Sequence, residues 1–323
     1  MKAMHPMKTM HLMKERGVAV IMVLLVLAIV AVTTAALMKR YQYAQAMASQ
    51  VIHLGQTKAH IQGAEAWAAQ LLTQDRHNNN LDHLGENWAQ VALPMPVEQG
   101  FVSGKLTDLQ GRFNLNSVVV NNSVNQSALG LFKRLLEQQS IDPKIAIHLV
   151  DWIDKNVENH QIGTLEDAYY LGLAKPYRSA NQPLVDVSEL GLVKGFSAVL
   201  VAQLKPFVCA LPTPTRINVN TASSQVIEAL SADITQAQAQ QLVASRSTHH
   251  WGSPAAFIEA AIGPKTADSS AKWQTLEALV STQSQYFELN MAAQFGVAKT
   301  RLESKLYRSD NGQVTTLSRI YTP

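Results

Sequence analysis

Residues 14–40 have the sequence KERGVAVIMVLLVLAIVAVTTAALMKR, and this stretch decides how the rest of the chain is placed. Twenty uncharged residues run from Val18 to Leu37, between Arg16 on one side and Lys39 on the other. At about 1.5 Å of rise per residue, a helix of this length matches the roughly 30 Å hydrocarbon core of a bilayer. The basic residues before the span favour a cytoplasmic N-terminus. The stretch therefore predicts a membrane-spanning helix.

Three interpretations of this span stay open on the residues alone. A secretory signal has an apolar region of about 7–15 residues followed by a small-residue cleavage site, which Thr34-Ala35-Ala36 imitates. A plain single-pass anchor needs no cleavage. In the third interpretation, cleavage falls between Gly17 and Val18, before the apolar run, and Val18 becomes a new N-terminus on the membrane helix.

The helical pattern continues beyond the membrane. From Tyr41 to about Asp75 the chain has no proline, and apolar residues recur at steps of three and four. The spacing predicts one helix from Val18 to about Asp75, on the order of 85 Å long. We expect its outer half to cover a core and its inner half to meet lipid or partner helices. The apolar positions are Ala44, Met47, Val51, Leu54, Ile61, Ala64, Ala68 and Leu71.

Strand patterns lie on both sides of a helix-rich region. Residues 104–116 predict one or two strands with a turn or bulge at Gly111. Pro94-Met95-Pro96 indicates a turn. Residues 127 to about 279 have helical patterns, so the chain is predicted to be α+β, with a long N-terminal transmembrane helix, an antiparallel sheet and a large all-α insertion. The C-terminal strands are predicted at residues 286–291, 298–307 and 314–321, the last two joined by a hairpin turn at 309–312.

The insertion contains two weakly similar units. Residues 184–196 have a helix cap, a helix and a glycine turn. The second unit opens with Ile217-Asn218-Val219-Asn220-Thr221-Ala222, where Thr221 can cap a helix that starts nearby. Both resemble degenerate helix-hairpin-helix (SAM-like) elements, and the opening of the second resembles that of DNA-uptake receptors.

Such motifs hold phosphate on the backbone N–H groups of a glycine turn. In the second unit no glycine is present where this turn should fall, and Asp233 adds a negative charge. The first unit keeps Gly195 but has Ser197 in place of a second glycine. A scaffold role is therefore favoured over DNA binding.

Composition argues against several other classes of protein. Charged residues make up 16% of the 323 residues, and a net charge of +3 with scattered carriers indicates no basic face for nucleic acid. Cys209 is the single cysteine, and its apolar neighbours predict a buried, inert thiol. His249-His250 has no acidic partner at metal-ligand spacing, and the chain has no phosphate-binding loop and no nucleophile elbow. We therefore expect no enzymatic activity.

An acidic stretch is the best candidate for a bound ion. Residues 151–167 contain five carboxylates and one lysine, which would repel unless they are solvated, spread apart or bound to a cation. Asp154-x-Asn156-x-Glu158 is typical of the start of a calcium loop. Asn159 and Leu165 occupy the positions that need glycine and glutamate, so this is not an EF-hand. A solvated loop and a hard cation held in another geometry both stay open.

Several motifs, taken in order, resemble one family. Lys14-Glu15-Arg16-Gly17 followed by Val18 resembles a type IV prepilin leader, which a prepilin peptidase cuts after the glycine. Most of that superfamily has a glutamate five residues into the mature chain, where Met22 stands here. That departure resembles the minor pseudopilin K family of type II secretion systems (general secretion pathway protein K). The further matching motifs are Asp151-Trp152-Ile153-Asp154, Glu166-Asp167-x-Tyr169-Tyr170, Asp186-Val187-Ser188-Glu189-Leu190 and residues 217–222.

The resemblance implies a pilin-like sheet and a structural calcium ion bound in the helical insertion. Residue by residue, the implied ligands are Asp154, Asn156, Glu166 and Asp167. Asn156 stands where an aspartate is more usual. The implied division of the chain is a leader at 1–17, a transmembrane and amphipathic helix at 18–75, pilin-like β parts at 76–118 and 283–323, and the insertion at 119–282.

The resemblance also implies a place and a set of partners. The place is the tip of a periplasmic pseudopilus that helps export folded proteins, on an inner-membrane anchor with most of the chain in the periplasm. Met22 cannot pair with the N-terminal amine of a neighbouring subunit, as the usual glutamate would. Implied partners are the I and J minor pseudopilins, the major pseudopilin, the prepilin peptidase and the inner-membrane secretion platform. The alternatives are an anchored helix-hairpin-helix DNA receptor and an anchored scaffold outside any filament.

Overall fold

The computed structural model describes residues 10–90, 95–97, 100–155, 166–296 and 298–322, with side chains for 17–90, 100–155, 169–296 and 298–322. Within these ranges the helices are α1 (Met10–Asn78), α2 (Gln126–Gln138), α3 (Ala146–Ile153), α4 (Glu166–Leu171), α5 (Ala198–Leu204), α6 (Ser224–Ala229), α7 (Gln236–Ser245), α8 (Pro254–Ile262) and α9 (Ser270–Leu279). The strands are β1 (Met95–Val97), β2 (Gly100–Asp108), β3 (Phe113–Asn114), β4 (Val119–Val120), β5 (Ser123–Val124), β6 (Val208–Cys209), β7 (Ile217–Asn218), β8 (Val280–Ser281), β9 (Tyr286–Phe295), β10 (Ala298–Arg308) and β11 (Val314–Thr322).

The long helix that the spacing predicts is present as α1. It continues without a break from the apolar span to Asn78. From Gly17 onward it is long and apolar enough to cross a membrane, and its most apolar part has no cover from the described chain. Farther along, Ile61, Ala68 and Leu72 are buried against the sheet. One helix is therefore apolar and long enough to span a membrane at one end and is a core element at the other.

The main sheet lies against the outer part of α1. Among the described residues it has five antiparallel strands in the order β1-β2-β9-β10-β11. Alternate side chains face α1, as the period of two in a strand requires. Leu106 lies opposite Leu289, and Phe287 lies opposite Leu306, all four in the core under the helix. We call α1 and this sheet the sheet unit.

The strand predictions are confirmed at the C-terminal end, where β9, β10 and β11 form with a tight turn at Gly312 (φ +84°). The predicted turn at Gly111 is also present, as a short 3-10 helix between β2 and β3. An added Cβ on Gly111 would come within 2.8 Å of Thr221 Oγ1, so this turn needs glycine for its close approach. The turn prediction is wrong at Met95 and Pro96, which lie in β1. Proline is tolerated there because β1 is an edge strand.

The helical insertion leaves the sheet after β2 and returns at β9, which is paired with β2 so that Asp108 lies opposite Phe287. It has its own apolar core. The parallel pairs β3–β6 and β7–β8 join segments of the insertion that are distant in sequence. Both crossings lie at the end of the sheet near the C-terminal end of α1. At the opposite end, an added Cβ on Gly296 would come within 3.1 Å of the His53 ring. The insertion is therefore mounted on the end of the sheet unit far from the membrane span.

The two weakly similar units of the insertion have helical parts on either side of a turn. In the first, a 3-10 helix capped by Asp186 and Glu189 precedes α5, and in the second α6 precedes α7. The predicted cap at Thr221 is wrong, because Ser223 accepts the N–H of Val226 at the start of α6. The Thr221 hydroxyl instead donates to the carboxylate of Asp108. The relation to helix-hairpin-helix elements stays a prediction.

Candidate functional site

The apolar span is the first candidate site, because the predicted cleavage and assembly residues lie on it. α1 passes through Gly17 and Val18 as continuous helix, and an added Cβ on Gly17 would meet nothing within 4 Å. Met22 is 63% exposed in the same helix. Leader residues before Met10 lie outside the described residues. The described residues give the span no cover, and an apolar surface of this size favours burial in lipid or against other helices.

A band of basic and aromatic residues follows the span. Lys39 and Arg40 come first, then Tyr41 and Tyr43, and the Lys39 ammonium lies 5.9 Å from the centre of the Tyr43 ring. Such residues are enriched where a membrane meets water. Every residue from 41 to 52 is exposed. From the band to the base of the sheet, α1 therefore runs about 20 Å without cover from its own chain.

An apolar stripe on α1 crosses this uncovered length. Tyr43, Met47, Val51 and Leu54 are each at least half exposed, and we call them the uncovered stripe. At 3.6 residues per turn they lie on the same face of the helix as the buried Leu72. The face that meets the sheet therefore extends toward the membrane beyond the point where the sheet ends.

The acidic stretch is the second candidate site. α3 ends at Ile153, and Asp154 follows as its C-cap with only 3% of its surface exposed. α4 begins at Glu166. Asn156 lies outside the described residues, as do the side chains of Glu166 and Asp167. The structure thus shows a buried carboxylate at the start of the loop, and the complete ligand set stays a prediction.

An aromatic cluster joins the two helices on either side of the acidic stretch. Trp152 in α3 and Tyr170 in α4 meet edge to face, with ring centres 5.2 Å apart, and Tyr177 lies 5.4 Å from Tyr170. Burial raises the pKa of Tyr170 to about 12, so its hydroxyl stays neutral and accepts the N–H of Lys194 at 3.3 Å. The cluster holds the two ends of the acidic stretch at a fixed spacing.

Of the two predicted hairpin turns, the first is packed against another part of the chain and the second has a negative charge. Gly195 has φ +90°, and an added Cβ would come within 2.9 Å of Ile145, so this turn lies against the chain. In the second unit, Asp233 accepts a hydrogen bond from Lys272 at 2.9 Å, which lowers the pKa of Asp233 and keeps its charge. A carboxylate here repels phosphate. The described turns therefore do not favour the DNA-receptor alternative.

The motif at 217–222 has a structural use in this chain. Asn218 is fully buried and donates to Asp108 at 3.1 Å, across the boundary between insertion and sheet unit. Asn220 accepts the N–H of Trp251 at 2.9 Å and donates to its carbonyl at 3.1 Å. Both asparagines use their side chains to hold distant segments of the protein together by buried hydrogen bonds, which supports the scaffold interpretation.

A buried arginine at the boundary was missed by sequence reasoning. Arg308 is 2% exposed, and its guanidinium donates to the carboxylates of Asp75 (2.8 Å) and Asp82 and to the carbonyls of Leu72 (3.2 Å) and Ser284 (2.8 Å). We call these residues with Asp108 the polar junction. The alternation of β10 places Arg308 on the core face, and a charge at an apolar position requires partners. The alternation of β10 is therefore the sequence signal that could have predicted the burial of Arg308.

The carboxylates of the polar junction are poorly solvated. Burial, with the charge of Glu86, raises the pKa of Asp75 to about 7. Burial also raises the pKa of Asp108 to about 6, against the hydrogen bonds it accepts from Ser284 and Thr221. Oxygen atoms of Asp75, Asp82 and Glu86 come within 4.8 Å of one another. The Arg308 guanidinium supplies the positive charge beside them.

The prediction for Cys209 is confirmed. The side chain is 3% exposed, and its Sγ donates to the carbonyl of Leu109 at 3.3 Å. Burial raises the pKa of this thiol to about 12. Cys209 is therefore a neutral thiol at physiological pH, and the thiolate that reacts as a nucleophile does not form.

Comparisons with known proteins agree with these features. Two family models described as type II secretion system (T2SS), protein K, match residues 111–213 and 217–279. Type II secretion system protein K of Aeromonas hydrophila is 31% identical over 95% of this chain and 97% of its own. The protein of the same name from Klebsiella pneumoniae is 34% identical over 80% and 83%. A chain in the crystal structure of the GspK-GspI-GspJ complex from enterotoxigenic Escherichia coli superposes with a TM-score of 0.73 at 27% identity, over 83% of this chain and 96% of that one.

Proposed function

Since this chain belongs to the type II secretion system protein K family, we propose that it is the minor pseudopilin at the tip of the pseudopilus. There it would initiate assembly and help export folded proteins across the outer membrane. The observation that carries the proposal is the position of the insertion. It leaves the sheet at Asp108 and returns at Tyr286, both at the end of the sheet unit far from the membrane span. Bulk at that end leaves no room for a subunit above.

Met22 supports the same position from the other end of the molecule. A glutamate at this place would meet the N-terminal amine of a neighbouring subunit inside the apolar bundle, where an unpaired charge is expensive. Met22 has no charge to offer, so this chain is poorly suited to join beneath other subunits. The insertion at one end of the molecule and Met22 at the other thus both disfavour any position in the pseudopilus except the tip.

We propose that a prepilin peptidase cuts between Gly17 and Val18 and that the span stays in the inner membrane, with the rest of the chain in the periplasm. The solved relative is a complex of GspK with GspI and GspJ, which supports I and J minor pseudopilins as partners here. The uncovered stripe is the surface with which α1 would meet their helices. The major pseudopilin and the inner-membrane platform complete the proposed partners. We propose no catalytic activity, in keeping with a scaffold whose thiol at Cys209 is buried.

We further propose that the acidic stretch holds a structural calcium ion through Asp154, Asn156, Glu166 and Asp167. Carboxylate and amide oxygens are the ligands that calcium prefers. The carboxylate of Asp154 is buried at the start of the acidic stretch, which is the position of the first proposed ligand. The ion would neutralise the stretch and order it between α3 and α4.

The position at the tip is tested with Met22→Glu, compared with Met22→Leu, in cells that contain the prepilin peptidase and the other pseudopilins. The mass of the N-terminal peptide should first show that each mature chain begins at Val18. Met22→Glu supplies the missing carboxylate, so it should change the position of this chain in isolated pseudopili or the stability of its complex with the I and J pseudopilins, while Met22→Leu should behave as the wild type. A wild-type chain that keeps its leader, or the same position and complex stability in all three proteins, contradicts the proposal.

Calcium binding is tested by thermal unfolding of the full chain in detergent. A ligand that binds only the folded state stabilises it by about 2.7 kcal/mol at one hundred times its dissociation constant. Millimolar calcium should therefore raise the Tm of the wild type, and Asp154→Asn should reduce the increase. Asp142→Asn, a carboxylate that caps a different turn, is the control and should keep the full increase. An unchanged wild-type Tm at millimolar calcium would sink this part of the proposal.

A further inference from the structure

Two histidines distant in sequence form a second contact between the insertion and the sheet unit. The rings of His83 and His250 are nearly parallel, at 13°, with centres 3.5 Å apart. His83 lies in the loop after α1, and His250 lies between α7 and α8. The adjacent pair His249-His250 had no acidic partner by sequence spacing. The fold gives His250 a partner from the other part of the molecule.

A hydrogen bond to His83 determines which ring nitrogen carries the proton in its neutral form. Its Nδ1 accepts the backbone N–H of Gly85 at 3.1 Å, so the ring proton of the neutral imidazole lies on Nε2. That nitrogen is 3.9 Å from Oε1 of Glu86. A second proton on Nδ1 would point at the N–H donor of Gly85 and would break this hydrogen bond. Protonation of His83 therefore changes the loop that carries it.

His250 is also held in conditions that disfavour a charge. Its Nδ1 is buried without a hydrogen-bond partner in the described residues. Burial lowers the pKa of His250, the charge of a protonated His83 lowers it further, Glu86 opposes both, and His249 adds a smaller repulsion. In the described part of the chain, these are the titratable groups that face the ring. Two charged rings at this spacing would repel.

Glu86 cannot neutralise both rings. Its Oε1 already accepts from Asn79 at 3.0 Å, and its Oε2 accepts from the N–H of His83 at 2.9 Å and from the Trp88 indole at 2.8 Å. It is therefore fixed on the side of the sheet unit. A charge on His250 has no carboxylate on its own loop to meet it, since residues 246–252 contain no aspartate or glutamate.

We propose that His83 and His250 form an acid-sensitive clasp, which holds the insertion against the sheet unit at neutral pH and opens when both rings are charged. The polar junction around Arg308 is a separate contact, because the hydrogen bonds that Asp108 accepts from Asn218, Thr221 and Ser284 involve neither ring. The clasp does not depend on the proposed secretion function. It requires only that the two rings stack across the boundary.

Hydrogen exchange of the full chain in detergent tests the clasp between pH 7.5 and 5.0, after correction for the intrinsic effect of pH. In the wild type, protection of the loops at 81–88 and 247–252 should fall toward pH 5, by about tenfold for each pH unit over which opening takes up one proton. His250→Gln cannot be charged and should show no such fall. His249→Gln is the matched control, because His249 is exposed and its ring contacts Trp251 instead of His83. It should keep the wild-type response.

A response retained in His250→Gln, or lost in His249→Gln, would overturn the clasp. A second measurement uses the wild type alone, so its result does not depend on whether a variant folds. With ¹³C-labelled histidine, the ring signals of the two stacked residues should change together as the pH falls, as expected for a coupled pair. Independent changes of the two ring signals would also overturn the proposal.

Discussion

Beyond its apolar span α1 has two halves, residues 41–54 and 61–78, which have the same apolar spacing and opposite surroundings. Ile61 and Leu72 are fully buried under the sheet, whereas Met47 and Leu54, on the same face of the helix, are more than half exposed. Nothing in the local sequence separates the halves, since both have apolar residues at steps of three and four. Periodicity shows that a face will be covered, and the identity of the cover depends on where the sheet ends. Between the apolar span and His53, no described part of the chain covers this face.

The largest expected effect comes from removing the attachment of α1 at its C-terminal end, in the covered half. Arg308→Met leaves Asp75 and Asp82 buried without their cation, and removal of one partner from a buried ion pair costs about 3–5 kcal/mol. Denaturant unfolding of the full chain in detergent measures the loss. Arg301→Met is the control, because Arg301 is exposed on the same strand and should change stability by less than about 0.5 kcal/mol. Equal losses would show that the polar junction does not hold α1.

A pair of identical substitutions tests the two halves directly. Leu72→Ala removes a fully buried side chain and should cost about 2–5 kcal/mol. Leu54→Ala removes one that is 52% exposed and should change the stability of the isolated chain by less than about 0.5 kcal/mol. Leu54→Ala should instead weaken co-purification with the I and J pseudopilins. If both substitutions destabilise the isolated chain equally, the uncovered stripe has a cover within the chain.

The smallest expected effect concerns the charge at the C-terminal end of α1. The pKa of Asp75 is raised to about 7 in the folded protein, above its value of about 3.9 in an unfolded chain. The folded state therefore binds this proton more tightly, and its contribution to stability falls as pH rises from about 4 to 7. Asp75→Asn removes the titrating group, so the change of its Tm between pH 4 and pH 8 should be smaller than that of the wild type, and the difference between the two Tm values should vary with pH. A constant difference across this range would contradict the assignment to Asp75.

The parts of the fold that were predictable are those with a local cause. Twenty uncharged residues define the span, steps of three and four define α1, and alternation with a glycine turn defines β10 and β11. Each of these signals lies within a few turns or one hairpin. The same applies to Cys209, whose burial follows from its apolar neighbours.

The polar junction and the histidine stack could not be predicted because their partners are distant in sequence. Arg308 and Asp82 are separated by 226 positions. The cap predicted at Thr221 failed for the same reason, since a carboxylate from β2 takes its hydroxyl. Among the predicted calcium ligands, the structure describes the side chain of Asp154 and shows that it is buried. Its role with Asn156, Glu166 and Asp167 stays a prediction.

The place of the insertion between two paired strands has a consequence for the order of folding. β9, β10 and β11 follow α1 and the insertion in the chain, so α1 is synthesised long before the strands that cover Ile61 and Leu72 exist. Closing β2 onto β9 requires a loop of more than a hundred residues, which is slow unless the loop has already folded. An insertion that folds first brings Asp108 and Phe287 together and shortens that search. A ribosome that stops before β10 would therefore leave a folded insertion on a helix whose apolar face is bare, a species prone to aggregate and open to proteases.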